Sequence, residues 1–364
     1  MTKKIMILSW CNADNVMNYG QILQAMAMMQ LARARYTGAI DYISYHPRTI
    51  KNKIRCTVER HNPFNGHLIP YYKTKKMLDA FSKENGVRLL QISDIRKLER
   101  LSDQYDLMIC GSDQIWHPRN YFPGYFLDFG ADRILRKSYA ASIPKSSVED
   151  QFAVSYGHMR KSLRRFDCIS VRESSSQHLI EELSGKKVDV VLDPTLLVPK
   201  EQWMCVTEYI QTPEEYIFVY IPNGMDSDIE SQIDKIADSM GVYNVIILMT
   251  RGANAFKKYK VMKFVTVGQF LYLIQNARYI FTSSFHAAVF SIIMEKAFSC
   301  HAVYNPDQGE DTRLVDLLKP LGLDDRIENE NCYKEPIDYS KVGDLLAEER
   351  KQSGKILDSI VTVR

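Results

Sequence analysis

Twice along this chain a series of short apolar runs ends in small or polar residues and gives way to helical periodicity. That alternation restricts the fold to parallel sheets covered by helices. The sharpest case is YIFTSSFHAAVFSIIMEKAF, Tyr279 to Phe298. Tyr279 to Thr282 reads as the end of a buried strand. Ser283 and Ser284 supply hydroxyls where a helix needs an N-cap, and Phe285 to Phe298 is apolar at helical spacing. His286 falls in the first turn. Such a junction aims backbone N–H groups and a partial positive charge beyond the sheet edge, a setting for a phosphate or carboxylate, here with a proton donor beside it.

The first series opens with a strand over Ile5 to Ser9, a polar loop and a helix over Gly20 to Ala34. The loop lacks GxGxxG, so nothing supports a dinucleotide site. It holds NYGQ instead: Gly20 lets backbone approach a ligand and Asn18 and Gln21 can hydrogen-bond one, although Asn18 serves equally well as the helix cap. Ala39 to Ser44 is a second strand. Residues 47–72 are basic and turn-rich and read as an irregular excursion; His46, His61 and His67 lie near or in it without metal-ligand spacing. Helices are expected over Lys75 to Glu84 and Ile92 to Leu101.

Tyr105 to Cys110 is a buried strand running into GSDQIW, which places Asp113 and Gln114 at the carboxyl edge of a parallel sheet. Asp113 can orient or deprotonate a hydroxyl there, with Trp116 and His117 framing a sugar ring. The plain alternative is that Asp113 only fixes its turn. Lys137 to Ile143 ends near the same edge with Ser142. A helix over Val148 to Phe166 and a strand over Asp167 to Arg172 follow, bringing Arg172 and Glu173 to that edge. Arg172 can grip a carboxylate or phosphate in two-pronged fashion or simply pair with Glu173. Ser174 to Leu183 is a helix, and Val188 to Leu192 a strand entering DPTLL, Asp193 to Leu197.

After Pro199 the alternation restarts, with strands at Tyr216 to Ile221, Asn244 to Met249, Arg278 to Thr282 and Cys300 to Tyr304. Helices fall at Asp226 to Met240 and Val267 to Asn276. We therefore divide the chain into an N-terminal domain, 1–195, a C-terminal domain, 196–340, and a last helix within 341–364 that packs back on the first domain. Arg313, in a polar stretch feeding a helix, faces the cleft or solvent.

A length of 364 residues with 45% hydrophobic and 25% charged residues suits two domains. The net charge of +3 gives no case for nucleic acid; the basic RKSLRR stretch, Arg160 to Arg165, is a solvated helix face or a contact for an acidic surface. Seven cysteines, odd in number and never spaced CxxC, argue against a disulfide framework and a zinc ribbon. No signal-peptide pattern is visible, and no apolar run nears the roughly 20 residues that span a bilayer, so a cytoplasmic location is expected.

NYGQ, GSDQIW, SYAAS, ISVRE, DPTLL and TSSFHAAVFSIIMEKAF, in this order over residues 5 to 318, resemble the polysaccharide pyruvyl transferases. The resemblance implies two facing Rossmann-like domains of the GT-B type with the active site in the cleft between them. It implies transfer of the enolpyruvyl unit of phosphoenolpyruvate to two hydroxyls of a sugar, as a ketal. The acceptor would belong to a bacterial capsular or exopolysaccharide or its lipid-linked precursor, with peripheral contact at the inner membrane face. Phosphoenolpyruvate is then the donor substrate, no cofactor or metal is called for, and the oligomeric state stays open. By position, Arg172 resembles a family arginine that binds phosphoenolpyruvate and His286 the histidine that binds it and acts as general acid. Ser283, Ser284 and Arg313 would complete the donor side, and Asn18, Gly20, Gln21, Gln114, Trp116 and Ser142 the acceptor side or cleft. Members carry an arginine directly before the Phe/Leu–His pair, where this chain has Ser284, so Arg251, Arg313 or a loop lysine would have to supply the missing charge. Two other readings remain: a GT-B glycosyltransferase using a nucleotide-sugar with Asp113 as base, and a non-catalytic sugar-binding relative.

Overall fold

The computed structural model describes residues 3–11, 18–47, 68–116, 121–143, 153–222, 229–249, 256, 258–301, 312–327 and 332–363. The first half contains β1 (Lys4–Ser9), α1 (Tyr19–Arg35), β2 (Ala39–Tyr45), α2 (Leu68–Glu84), β3 (Val87–Ile92), α3 (Ile95–Ser102), β4 (Leu107–Cys110) and β5 (Leu135–Ser138). These strands form a wholly parallel sheet in the order β3-β2-β1-β4-β5. Next come α4 (Ala153–Leu163), β6 (Ile169–Val171), α5 (Ser174–Ser184) and β7 (Val188–Val190). The β6–β7 pair joins the β5 side of that sheet through the bridges Lys137–Cys168 and Ala141–Val171.

Two short helices, α6 (Pro194–Leu197) and α7 (Lys200–Met204), lead to the second series: β8 (Ile217–Tyr220), α8 (Ile229–Met240), β9 (Val245–Leu248), β10 (Lys260–Met262), α9 (Val267–Asn276), β11 (Tyr279–Thr282), α10 (Phe285–Ile293) and β12 (Phe298–Cys300). Its sheet, β10-β9-β8-β11-β12, is again parallel and repeats the winding of the first. The chain then gives α11 (Thr312–Leu318) and α12 (Tyr339–Val361).

Several local expectations are corrected. The helix after Ser284 ends at Ile293, and Phe298, expected as its last residue, opens a strand paired with Ile280. Glu295, at φ +55°, turns the chain sharply enough for the strand to follow at once. Val87–Ile92 is a strand where none was expected, because VRLLQI lies on the sheet edge and alternates poorly; the helix expected from Ile92 starts at Ile95 behind the Asp94 cap. Residues 68–72, read as part of an irregular excursion, form the first turn of α2, where Pro70 costs no helical hydrogen bond. His61, His67 and the rest of 48–67 lie outside the described residues. The basic stretch at the end of α4 is partly paired within its own domain, Arg165 to Asp128 and Asp132 at 3.1 Å each.

Helix α1 lies between the two sheets and is buried along most of its length, which its small and flexible AMAMM sequence permits. Tyr19 stacks on Phe270 of α9 at 4.4 Å, and Val267 at the start of α9 donates its N–H to Thr74 of α2 at 3.4 Å. Across the same interface Asp316 of α11 accepts from the hydroxyls of Ser174 and Ser175, at 2.6 and 2.5 Å, and from the Ser175 N–H at 3.2 Å. It thereby supplies the first turn of α5, whose own N-cap Glu173 makes no capping bond. Helix α12 starts on the second half, where Tyr339 donates to the Lys296 carbonyl at 2.5 Å, and ends on the first, where Lys137 bonds the carbonyls of Ser359 and Thr362 at 2.7 and 2.9 Å. No helix among the described residues is long and apolar enough to cross a membrane.

Leu357 of α12 is fully buried against this joint core. Leu357→Ala should cost about 2–5 kcal/mol, as a lower midpoint in urea unfolding.

Candidate active site

Both sheets part at a topological switch point, between β1 and β4 in the first and between β8 and β11 in the second, where open α/β sheets place ligands. In the second sheet that point is occupied by the β11–α10 junction. The Ser284 hydroxyl accepts from the Ala287 N–H at 3.4 Å and its own N–H donates to Thr282 Oγ1 at 3.0 Å, which fixes the turn and starts the helix. The first N–H groups of α10 then point out of the helix. His286 is its second residue, and the Ser283 Oγ just before the cap is buried without a hydrogen-bond partner.

His286 meets Asp193, the cap of α6. One carboxylate oxygen of Asp193 accepts from the N–H and hydroxyl of Thr195, at 3.0 and 2.6 Å. The other accepts from Ser112 Oγ at 2.9 Å and Arg172 Nη1 at 3.1 Å, and faces His286 Nε2 at 3.7 Å. That last distance is too long for a hydrogen bond, so Nε2 is buried without one, yet close enough for a strong charge interaction. Burial alone would raise the Asp193 carboxyl; the histidine, the Arg172 guanidinium and Thr195 outweigh it, and the group lies well below the usual carboxylate range.

Arg172 continues the network. Its Nε donates to Glu173 Oε1 at 2.8 Å, its Nη2 to Ser142 Oγ at 3.0 Å, and its guanidinium lies 3.8 Å from the centre of the Phe285 ring. Ser142 Oγ in turn donates to Glu173 Oε1 at 2.9 Å, while Glu173 Oε2 is buried with no partner. Burial raises the Glu173 carboxyl above its ordinary value against the pull of Arg172 and, from α11, of Arg313.

Gly20 fixes the other side of the imidazole. A β-carbon there would stand 2.7 Å from His286 Cε1 and closer still to Nδ1, so only glycine lets α1 lie against the ring. The expected role of Gly20, room for a ligand, is thus filled by His286 itself.

The remaining expected residues divide. Asp113 lies at the first sheet's switch point with φ +81°, held by its carbonyl, which accepts from Ile115 and Ser142 N–H at 2.7 and 3.0 Å. Its carboxylate makes no hydrogen bond among the described residues, and Gln114 beside it is half-buried. Asp tolerates positive φ better than most residues, which suits the turn that its carbonyl fixes, while its carboxylate is left to face the switch point. Asn18 caps α1 through the Gln21 N–H at 3.3 Å, its structural alternative, and Gln21 is buried behind it. Trp116 is corrected: it is fully buried, stacked on Phe126 and bonded to the Tyr125 carbonyl at 3.0 Å, so it belongs to the core and not the cleft. Ser142 and Arg172 are corrected in part, since both are spent on the internal Glu173–Asp193 network and do not stand open at the strand ends. His117 and Arg251 lie outside the described residues. No three His, Cys, Asp or Glu side chains gather as a metal site among the described residues.

Asp193 and Glu173 were missed as site residues. The Asp-Pro-Thr signal of a helix cap is legible, but DPTLL is read above as a domain boundary and a family motif, without a role for Asp193 in the site.

Paired parallel sheets with a polar site between them define the GT-B type of enzyme fold. Solved structures of the same layout include UDP-GlcNAc 2-epimerase from Neisseria meningitidis bound to UDP-GlcNAc, at 10% identity and a TM-score of 0.55, covering 98% of this chain and 99% of that one. The Methanocaldococcus jannaschii UDP-GlcNAc 2-epimerase in complex with UDP-GlcNAc and UDP matches at 14% identity and 0.53, with the same coverage. At such identities the likeness speaks for the fold alone. No curated protein matches the chain in sequence. The family model for polysaccharide pyruvyl transferase matches residues 18–301, from the cap of α1 to the end of β12, and the chain belongs to that family.

The raised Glu173 carboxyl means that the folded protein binds a proton more readily there than the unfolded chain. Its stabilising contribution is present below the unfolded value, about 4.3, and is lost as pH rises through the folded one. Glu173→Gln should therefore gain stability relative to wild type between pH 4 and pH 8, by urea titration at both. Gly20→Ala, favourable for a helix in isolation, should leave the fold intact while displacing the His286 ring and lowering turnover at least about tenfold.

Proposed function

We propose that the protein transfers the enolpyruvyl unit of phosphoenolpyruvate to two hydroxyls of one sugar, forming a ketal and releasing phosphate. The observation that carries the reading is the convergence, at the start of α10, of His286 with the buried and unpartnered Ser283 Oγ and Glu173 Oε2, beside the Arg172 guanidinium. Family membership supports the pyruvyl group, and the helix start supports an anionic donor.

His286 donates its proton to the methylene carbon of the enol, which leaves a cationic centre at C2 stabilised by the oxygen that carries the phosphate. A first sugar hydroxyl adds to C2 and gives its proton to the Asp113 carboxylate. The C2–O bond to phosphate breaks, phosphate takes the bonding pair, and the second hydroxyl adds to C2 as its proton leaves with the phosphate. Methylene becomes methyl, two C–O bonds form and one breaks. The positive end of α10 and the Ser283 hydroxyl bind the leaving phosphate. Ser284 acts as a cap, and Arg313, whose charge reaches the Glu173 carboxyl, is our candidate for the cation expected in its place.

Two measurements test this. Thermal stabilisation by phosphoenolpyruvate but not by UDP-GlcNAc is expected; the reverse would favour a nucleotide-sugar transferase. Phosphate release from phosphoenolpyruvate with a glycan acceptor should fall at least about a hundredfold in His286→Gln, with unfolding unchanged. Turnover near the wild-type rate in that variant would remove His286 as the acid.

A further inference from the structure

The first sheet's switch point carries polar groups that the reaction just described leaves unused. Trp10 follows directly on β1 and His46 directly on β2, with ring centroids 6.2 Å apart and planes inclined by 22°. The edge of Tyr125 packs on Trp10 at 5.9 Å. Gln24 reaches up from α1 beneath them, its Nε2 donating to the carbonyls of Trp10 and Gln21 at 2.7 and 3.0 Å and to Ser9 Oγ at 3.3 Å.

Each of these three side chains ends in a buried polar atom with no partner: the Trp10 indole Nε1, His46 Nε2 and Gln24 Oε1. Orphaned polar atoms are rare in a folded chain, because each loses its bonds to water and gains none. The other two tryptophans show the usual outcome, with Nε1 bonded to the Tyr125 carbonyl at 3.0 Å in Trp116 and to the Thr195 carbonyl at 3.1 Å in Trp203. The Trp10 and His46 side chains are only half-buried, so a ligand can still reach their rings.

We infer that Trp10, His46 and Gln24 form a binding subsite for a neutral, hydroxyl-bearing sugar ring, lying beside Asp113 across the cleft from His286. A donor, an acceptor and an imidazole nitrogen that does either are what a ring of hydroxyls satisfies, since each hydroxyl both donates and accepts. The aromatic faces cover its apolar edge. Charge argues against an anion: the Asp113 carboxylate acts on Tyr125 and on Tyr42, whose hydroxyl lies 3.5 Å from Gln24 Nε2, and burial pushes His46 down to about 4, leaving it neutral near pH 7. That the bound sugar is the pyruvyl acceptor rests on the function proposed above; that a sugar binds here does not.

Ligand-observed saturation-transfer NMR on the full-length protein, without phosphoenolpyruvate, tests the subsite. The probes are methyl glucoside, methyl galactoside, methyl mannoside and, as an anionic control, UMP. At least one glycoside should show a saturable signal, weakened about tenfold or more in Trp10→Phe, which keeps a ring but loses the N–H, and likewise in His46→Ala. Stabilisation by phosphoenolpyruvate should survive both changes, which also reports that the variants are folded. No glycoside signal in the wild type, an unchanged signal in both variants, or a signal from UMP alone that these variants abolish would overturn the inference. Glycoside binding lost in the variants, in a wild-type protein that releases no phosphate from phosphoenolpyruvate, would uphold the subsite and remove the pyruvyl-transfer reading.

Discussion

The buried pair of Arg172 and Asp193 is the contact on which the rest of the site depends. Each ion is taken out of water, a cost of several kcal/mol, and is retained only because every nearby group helps to satisfy it. Ser112 and Thr195 bond the carboxylate; Glu173, Ser142 and the Phe285 ring surround the guanidinium. Removing one partner of such a pair typically costs about 3–5 kcal/mol, since the other charge is left stranded. The chain thus ties together the end of β4, the end of β6 and the start of α6 at one point, and presents that point to the second sheet's α10.

The two halves are equally bound to each other through α1. A helix buried on nearly all sides needs small or adaptable side chains, and its first turn needs a glycine where the His286 ring crosses it. The histidine is therefore positioned by the first half although it belongs to the second. Asp316, which supplies the first turn of α5 from α11, works in the same direction. Neither half contains the site alone.

Much of this was legible in the sequence. Strand–turn–helix units announced two parallel sheets, and TSSFH announced a capped helix with a histidine in its first turn, because caps and periodicity are local signals. What was not legible depends on contacts between distant segments. Trp116 follows a polar turn and reads as a cleft aromatic, but Phe126 and Phe166 enclose it and the Tyr125 carbonyl takes its N–H. Arg172 reads as an open anion clamp until the start of α6 arrives with Asp193. Gly20 reads as space for a ligand, and only the fold shows that the space is already taken by a side chain 266 positions later.

The Asp193 contact also fixes how the His286 ring is turned. The carboxylate faces Nε2. At 3.7 Å the carboxylate holds that side of the ring by charge and not by a hydrogen bond. Nδ1, on the opposite side, lies against Gly20, where a β-carbon would overlap it, so that side of the ring is closed by α1. A single glycine and a single buried carboxylate, one on each side of the ring, set its orientation.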